Sequence, residues 1–317
     1  MKKNENESRY TIMPTGKEIN TMVKIVNTNL TMTSVSGVYE TNATKGIFCD
    51  EVQYELMSVA TNLLSKRMPL SAHRLLLYMG TKARKTPNDK SSAKITVTEY
   101  AKLLGLNPDD LATRNEVQKE LKELSELLRY LNIHWKGAKR KGVLDTCVVS
   151  AYEYKNGVFE IYFSQKYIDY IKKMPLTHIH NGMFQLQLKD SVSYAIAYKL
   201  CIHASISKNI KTGTNHILSL GALHDALPIM SIEEVNATDH SWKAQIKKPI
   251  NTALNRLVEC GILNNYHFER SDHTPIDIDT IKSYAIWQEC YLVFELSDQE
   301  QIKALRAKRT NKNGAVE

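Results

Sequence analysis

Paired cysteines are missing from this chain. Its five cysteines, Cys49, Cys147, Cys201, Cys260 and Cys290, are scattered, with no Cys-x-x-Cys among them. An odd, dispersed set argues against a disulfide framework and against structural zinc, and reads as reduced, mostly buried thiols. Long apolar runs are missing too. No stretch is long enough to span a membrane, and the start, MKKNENESRY, has no secretory apolar region. The expectation is a cytoplasmic protein with no membrane partner, no metal and no other cofactor. The 317 residues fit two ordinary domains or one large one, and 43% hydrophobic residues suffice for a real core. A net charge of +8 suits nucleic acid or another anionic surface, though many enzymes share so modest an excess.

A third absence is local and more telling. From Ser241 to Arg256 there are four basic residues and no acidic one. Ser231, with Glu234 three residues on, has the spacing of a capping box and opens a first helix. Asn236 to His240 is polar and turn-rich. After Ser241, Ile246, Ile250, Ala253, Leu254, Leu257 and Val258 recur at helical spacing, and Gly261 stands where a helix stops. Ile262 to Phe268 favours a strand. Helix, turn, longer helix, strand is the order of a winged helix-turn-helix. The outward face of the longer helix carries Ser241, Gln245, Lys248, Thr252, Asn255 and Arg256. Gln245, Asn255 and Arg256 suit base edges in a major groove; Lys247 and Lys248 suit phosphates, with Lys243 nearer the core side. A solvated helix face is the plainer alternative. Pro249 lies inside the helix and is expected to kink it.

Residues 94–163 repeat that order. Lys94–Val97 is a short strand, Thr98 is expected to cap the helix EYAKLLGL, and Asn107-Pro108-Asp109-Asp110 is turn chemistry. Thr113 to Glu116 looks like a second capping box, opening a helix with Val117, Leu121, Leu124 and Leu128 on one face. That helix is net negative by one from Thr113 to Glu126, so only Thr113, Arg114 and Asn115 are expected near DNA. Leu131–Trp135 is a strand. The basic tip Lys139, Arg140 and Lys141 is read as a wing on the phosphate backbone, and equally as a solubilising loop. Val143–Tyr154 and Val158–Phe163 are strands joined by Lys155-Asn156-Gly157. Upstream, Cys49 to Lys66 has a helical pattern, Pro69 breaks it, and Ser71 can cap a second helix.

The expected fold class is α+β, with two tandem winged helix-turn-helix domains. Residues 1–48 read as a flexible N-terminal segment. Residues 49–175 are a first winged-helix domain for dimerisation and phosphate contacts, and 176–300 a second that is the main DNA reader. Residues 301–317 are a basic tail. An enzymatic alternative rests on His178-Ile179-His180 with Tyr194 and Tyr198, the residue types of a metal-dependent rolling-circle nickase. The triplet falls in a connection after Met174-Pro175, however, and loop histidines with core-facing tyrosines fit it better. Leu223–Ile229, LHDALPI, matches at all seven positions one translated frame of a common sequencing-library adapter. We read it as adapter-derived, with a real loop turning at Pro228 as the alternative, and His224 and Asp225 receive no function.

With these motifs in place, the chain resembles the iteron-binding replication initiator proteins of bacterial theta-type plasmids. The resemblance is carried by ITVTEYAKLLGL (95–106), SVSYAIAYKL (191–200) and SIEEVNATDHSWKAQIKKPINTALNRLVECGIL (231–263), where Trp242, Lys247-Lys248-Pro249 and the L-x-x-L-x-x-x-G-x-L ending fit the family's second helix-turn-helix. It spans roughly residues 70–296. It implies a non-enzymatic protein that binds repeated origin sites on double-stranded DNA, opens an adjacent AT-rich segment, and recruits the host helicase and initiator. It also implies a homodimer joined through the first winged helix. A transcriptional or partition regulator is the alternative within DNA binding.

Overall fold

The computed structural model of the chain describes residues 10–14, 31–33, 38–40, 47–48, 68–85, 91–130, 132–136, 143–173, 176–187, 190–204, 210–212, 215–227, 229–238 and 240–297. The helix expected over Cys49–Lys66, the basic tip Lys139–Lys141 and the tail lie outside the described residues. The chain divides into two compact units, Met13–Leu176 with Gln187–Ser191, and Met1–Ile12 with Thr177–Leu186 and Val192–Glu317.

Strand β1 (Tyr10–Pro14) starts within the residues of the second unit; the first unit carries the short strands β2 (Thr31–Thr33), β3 (Val38–Glu40) and β4 (Ile47–Phe48). Helix α1 (Met68–Lys85) follows. Pro69 sits in its first turn, where a missing N–H leaves no bond unmade. Ser71 is buried within the helix rather than capping it. Leu70, Leu75, Leu76 and Met79 are buried on several sides, as befits a central helix.

Strand β5 (Ser92–Thr96) leads directly into α2 (Val97–Leu103). Its cap is Thr96, whose hydroxyl accepts from Glu99 N at 3.0 Å, and not Thr98. The Thr-x-x-Glu spacing was present two residues earlier than expected. Lys82 Nζ reaches Glu99 Oε2 at 2.7 Å, and the Tyr78 hydroxyl donates to Glu99 Oε1, tying α1 to α2. Helix α3 (Leu111–Tyr130) buries Val117, Leu121, Leu124 and Leu128 as their spacing predicts. Its start is held by Asp110, which accepts from Thr113 N at 2.9 Å and Thr113 Oγ1 at 2.7 Å. Thr113 is therefore the partner of the cap, inside the helix.

Strands β6 (Asn132–Lys136) and β7 (Val143–Cys147) pair antiparallel, with β4 on the other edge of β6. Strands β8 (Val149–Lys155) and β9 (Val158–Phe163) form a hairpin whose turn, Asn156-Gly157, has φ of 53° and 77°. Two positive φ values are what a tight hairpin turn requires. The order β5-β9-β8 closes a winged helix, so its wing is this short turn. Strands β6 and β7, which flank the basic tip in sequence, belong to the separate β4-β6-β7 sheet. Helix α4 (Gln165–Lys173) ends the unit, with Ser164 Oγ accepting from Tyr167 N at 3.2 Å.

In the second unit, β10 (Leu176–His180) pairs with β1. His178-Ile179-His180 thus lies on a strand, not in a loose connection. Helix α5 (Ser191–Ala204) buries Tyr194, Ala197, Tyr198 and Cys201. Strand β11 (Ile210–Thr212) and β12 (Asn215–Ser219) precede α6 (Leu220–His224), which buries Leu220 and Leu223, while Leu227 is buried in the turn that follows. His224 bonds to the Tyr284 hydroxyl at 2.7 Å and to Met230 O at 2.8 Å. Helix α7 (Ile232–Ala237) has the expected capping box: Ser231 N donates to Glu234 Oε2 at 2.8 Å, and Glu234 N to Ser231 Oγ at 3.2 Å.

A π turn over Lys243–Lys247 then runs into α8 (Lys248–Glu259), followed by β13 (Leu263–Glu269), α9 (Tyr284–Glu289) and β14 (Tyr291–Leu296). In the sheet order β11-β12-β14-β13, β12 lies beside β14 and β14 beside β13, with β11 added at the outer edge of β12. The part β12-β14-β13 repeats the order of β5-β9-β8, so the fold is α+β with a winged helix in each unit.

Candidate nucleic-acid interface

The helix from Trp242 to Glu259 has one apolar and one polar side. Ile246, Ile250, Ala253, Leu254 and Leu257 are buried, and Ser241, Lys248, Thr252 and Asn255 are exposed at helical spacing. Gln245 and Arg256 are half-buried on the same stripe. Val258, expected in the core, is exposed, and Lys243 is exposed rather than folded towards the core. Gly261 ends the helix at φ +66°, a conformation that costs glycine nothing.

Pro249 is accommodated by a change of helix type. The turn before it is widened: Lys248 N donates to Lys243 O, a π-type bond spanning five residues. Proline has no donor and its ring crowds the carbonyl four residues back; a wider turn relieves both, and α8 begins with Pro249 in its first turn.

Lys247 corrects the phosphate role assigned to it. Its side chain is only 9% exposed, and its Nζ lies 2.7 Å from Asp279 Oδ1. It also donates to Ile278 O at 3.1 Å. The ammonium is thus bound to the short 3-10 helix Ile278–Thr280 in the segment between β13 and β14, and is turned away from any ligand on the outer face. Lys248, one residue on, is exposed. Arg256 Nη1 meets Glu259 Oε2 at 3.3 Å, so its charge is partly offset at the helix end.

Two neighbours of the stripe carry no signal in the sequence. Tyr266, on β13, donates its hydroxyl to Asn255 Oδ1 at 2.6 Å. Burial, and then the Asp279 carboxylate, raise the pKa of the Tyr266 phenol, which keeps it a donor. Asp279 therefore touches the helix through Lys247 and acts electrostatically on Tyr266.

In the first unit, Arg114 and Asn115 are exposed at the start of α3. Thr113 is engaged with Asp110, whose carboxyl these hydrogen bonds hold below the ordinary carboxylate range. The face offered there carries a negative charge beside Arg114. The histidine pair belongs to the core: His178 and His180 are buried, and His180 Nδ1 accepts from Gly182 N at 3.1 Å. Among the described residues no group of three or more His, Cys, Asp or Glu is placed to hold a metal ion. No helix among them is long and apolar enough to cross a membrane.

No curated protein matches the chain. A solved structure to which it is similar is the crystal structure of selenomethionine derivatives of domains 2 and 3 of RctB, at 10% identity, covering 88% of this chain and 98% of that one with a TM-score of 0.40. Residues 54–194 match the family model described as Initiator Replication protein, WH1. That stretch contains the β5-β9-β8 winged helix with its helices α1 to α3, so the similarity to replication initiators lies in the first winged helix.

Proposed function

We propose that the chain is a replication initiator that binds direct repeats at a plasmid origin through the helix of the second unit, opens the adjacent duplex, and recruits the host helicase and initiator. One observation carries the reading: on the second helix of a helix-turn-helix, Ser241, Lys248, Thr252 and Asn255 form an exposed stripe with no acidic residue among them. Hydroxyl and amide groups there suit base edges, and Lys248 suits a phosphate. The family match over the first winged helix supports replication as the context. The first unit contributes Arg114 and Asn115 to the backbone and carries the homodimer contact. Domain roles follow the same division, with 49–175 for dimerisation and phosphate contacts and 176–300 as the main reader.

The test is binding of the full chain to duplexes carrying the direct repeats upstream of its own gene. Preference for those repeats over shuffled duplexes of equal length is expected. Equal affinity for both would end the proposal.

A further inference from the structure

The bond between Tyr266 and Asn255 has a consequence for which base the helix selects; this rests on the reading of that helix as a DNA reader. An asparagine side chain has one acceptor and one donor group on the same planar carbon, so fixing one fixes the other. Here the acceptor, Oδ1, is taken by the Tyr266 hydroxyl at 2.6 Å. Tyr266 is itself held in place. It lies within β13, opposite Phe294 of β14, and its ring packs edge-on against Phe268 at 5.6 Å. The residue that receives its hydrogen bond is exposed on the same stripe as Lys248 and Thr252.

We propose that Tyr266 is a positioning residue of this helix: by donating to Asn255 Oδ1 it turns the Asn255 amide outward as a hydrogen-bond donor, so that the base pair facing Asn255 is selected for an acceptor edge. A free asparagine pairs with adenine in two bonds, accepting from N6 and donating to N7. With one lone pair of Oδ1 used and the oxygen turned towards Tyr266, that pattern is disfavoured, and an edge rich in acceptors, guanine N7 and O6 or thymine O4, is preferred. The specificity of Asn255 therefore lies partly in a tyrosine that never touches DNA.

The experiment measures the affinity of the full chain for the direct repeats upstream of its gene, with each base pair varied in turn. Wild type, Tyr266→Phe, Asn255→Ala and Asn255→Asp are compared, with thermal unfolding run on each. Tyr266→Phe keeps the ring and removes only the hydroxyl. It is expected to flatten the preference at one base pair, the same one that Asn255→Ala flattens, without moving the others. Asn255→Asp still accepts from Tyr266 but offers no outward donor, and is expected to lose roughly tenfold in affinity at an unchanged melting temperature. The proposal is overturned if Tyr266→Phe retains the wild-type preference at every position. It is equally overturned if Tyr266→Phe flattens a different base pair from Asn255→Ala, or if Asn255→Asp binds as wild type does. A wild-type chain with no preference anywhere defeats the DNA-reading function itself, and the proposal with it.

Discussion

The Lys247 ammonium lies 2.7 Å from Asp279 Oδ1, joining the turn before α8 to the segment that links β13 to β14. Its neighbour Lys248 faces outward. Two adjacent lysines of the same helix thus have opposite duties, and they separate cleanly by experiment.

Lys247→Met is expected to lower stability by about 1 kcal/mol, since the pair is partly exposed on the Asp279 side. The salt dependence of DNA binding should not change. Denaturant unfolding and a salt titration of binding check this. A shallower salt slope at unaltered stability would return Lys247 to the phosphate contacts.

Lys248→Ala is expected to weaken binding on all sequences alike and to reduce the salt slope by about 1, as loss of one phosphate contact does. Gln245→Ala should instead change which sequences are preferred. Affinities on matched and mismatched repeats at several salt concentrations distinguish the two. Identical effects of both variants would undo the assigned roles.

Gly261 ends α8 at φ +66° with open space around the position of a Cβ. Gly261→Ala is expected to cost about 1 kcal/mol through backbone strain alone, and Gly261→Asn less. Midpoints of chemical unfolding measure it; an alanine variant as stable as wild type would show that the turn relaxes.

Leu223–Ile229 fills a helix end and turn whose Leu223 and Leu227 are buried. Suitably spaced leucines of any origin satisfy that position. Sequencing the gene from the organism's own DNA is expected to give a different stretch there. Recovery of LHDALPI would establish the segment as native.

Much of this fold was legible because its signals are local. The Ser231–Glu234 box, the stop at Gly261, the Asn156-Gly157 hairpin and the leucine face of α3 each depend on residues a few positions apart. The caps at Thr96 and Asp110 were also encoded locally; each lay beside a second residue of suitable type, which drew the assignment. Lys247 sits three residues before Ile250 on the buried stripe, so its inward direction was present in the spacing. What covers it, Asp279, comes from a distant segment that no periodicity links to it. Tyr266 is hidden for the same reason, since its bond to Asn255 exists only once β13 lies beside α8. The hairpin at Asn156-Gly157 is a local signal too, but its place beside β5 in the β5-β9-β8 order comes only from long-range pairing.

The most direct measurement is the affinity of the full chain for the direct repeats upstream of its own gene, against shuffled duplexes at near-physiological salt. The account expects a preference of at least about a thousandfold, the lower end for specific sites, strongly reduced by removing the outward stripe with Lys248→Ala and Asn255→Ala together. Equal affinity for repeats and shuffled duplexes, or a preference untouched by that double substitution, would contradict it.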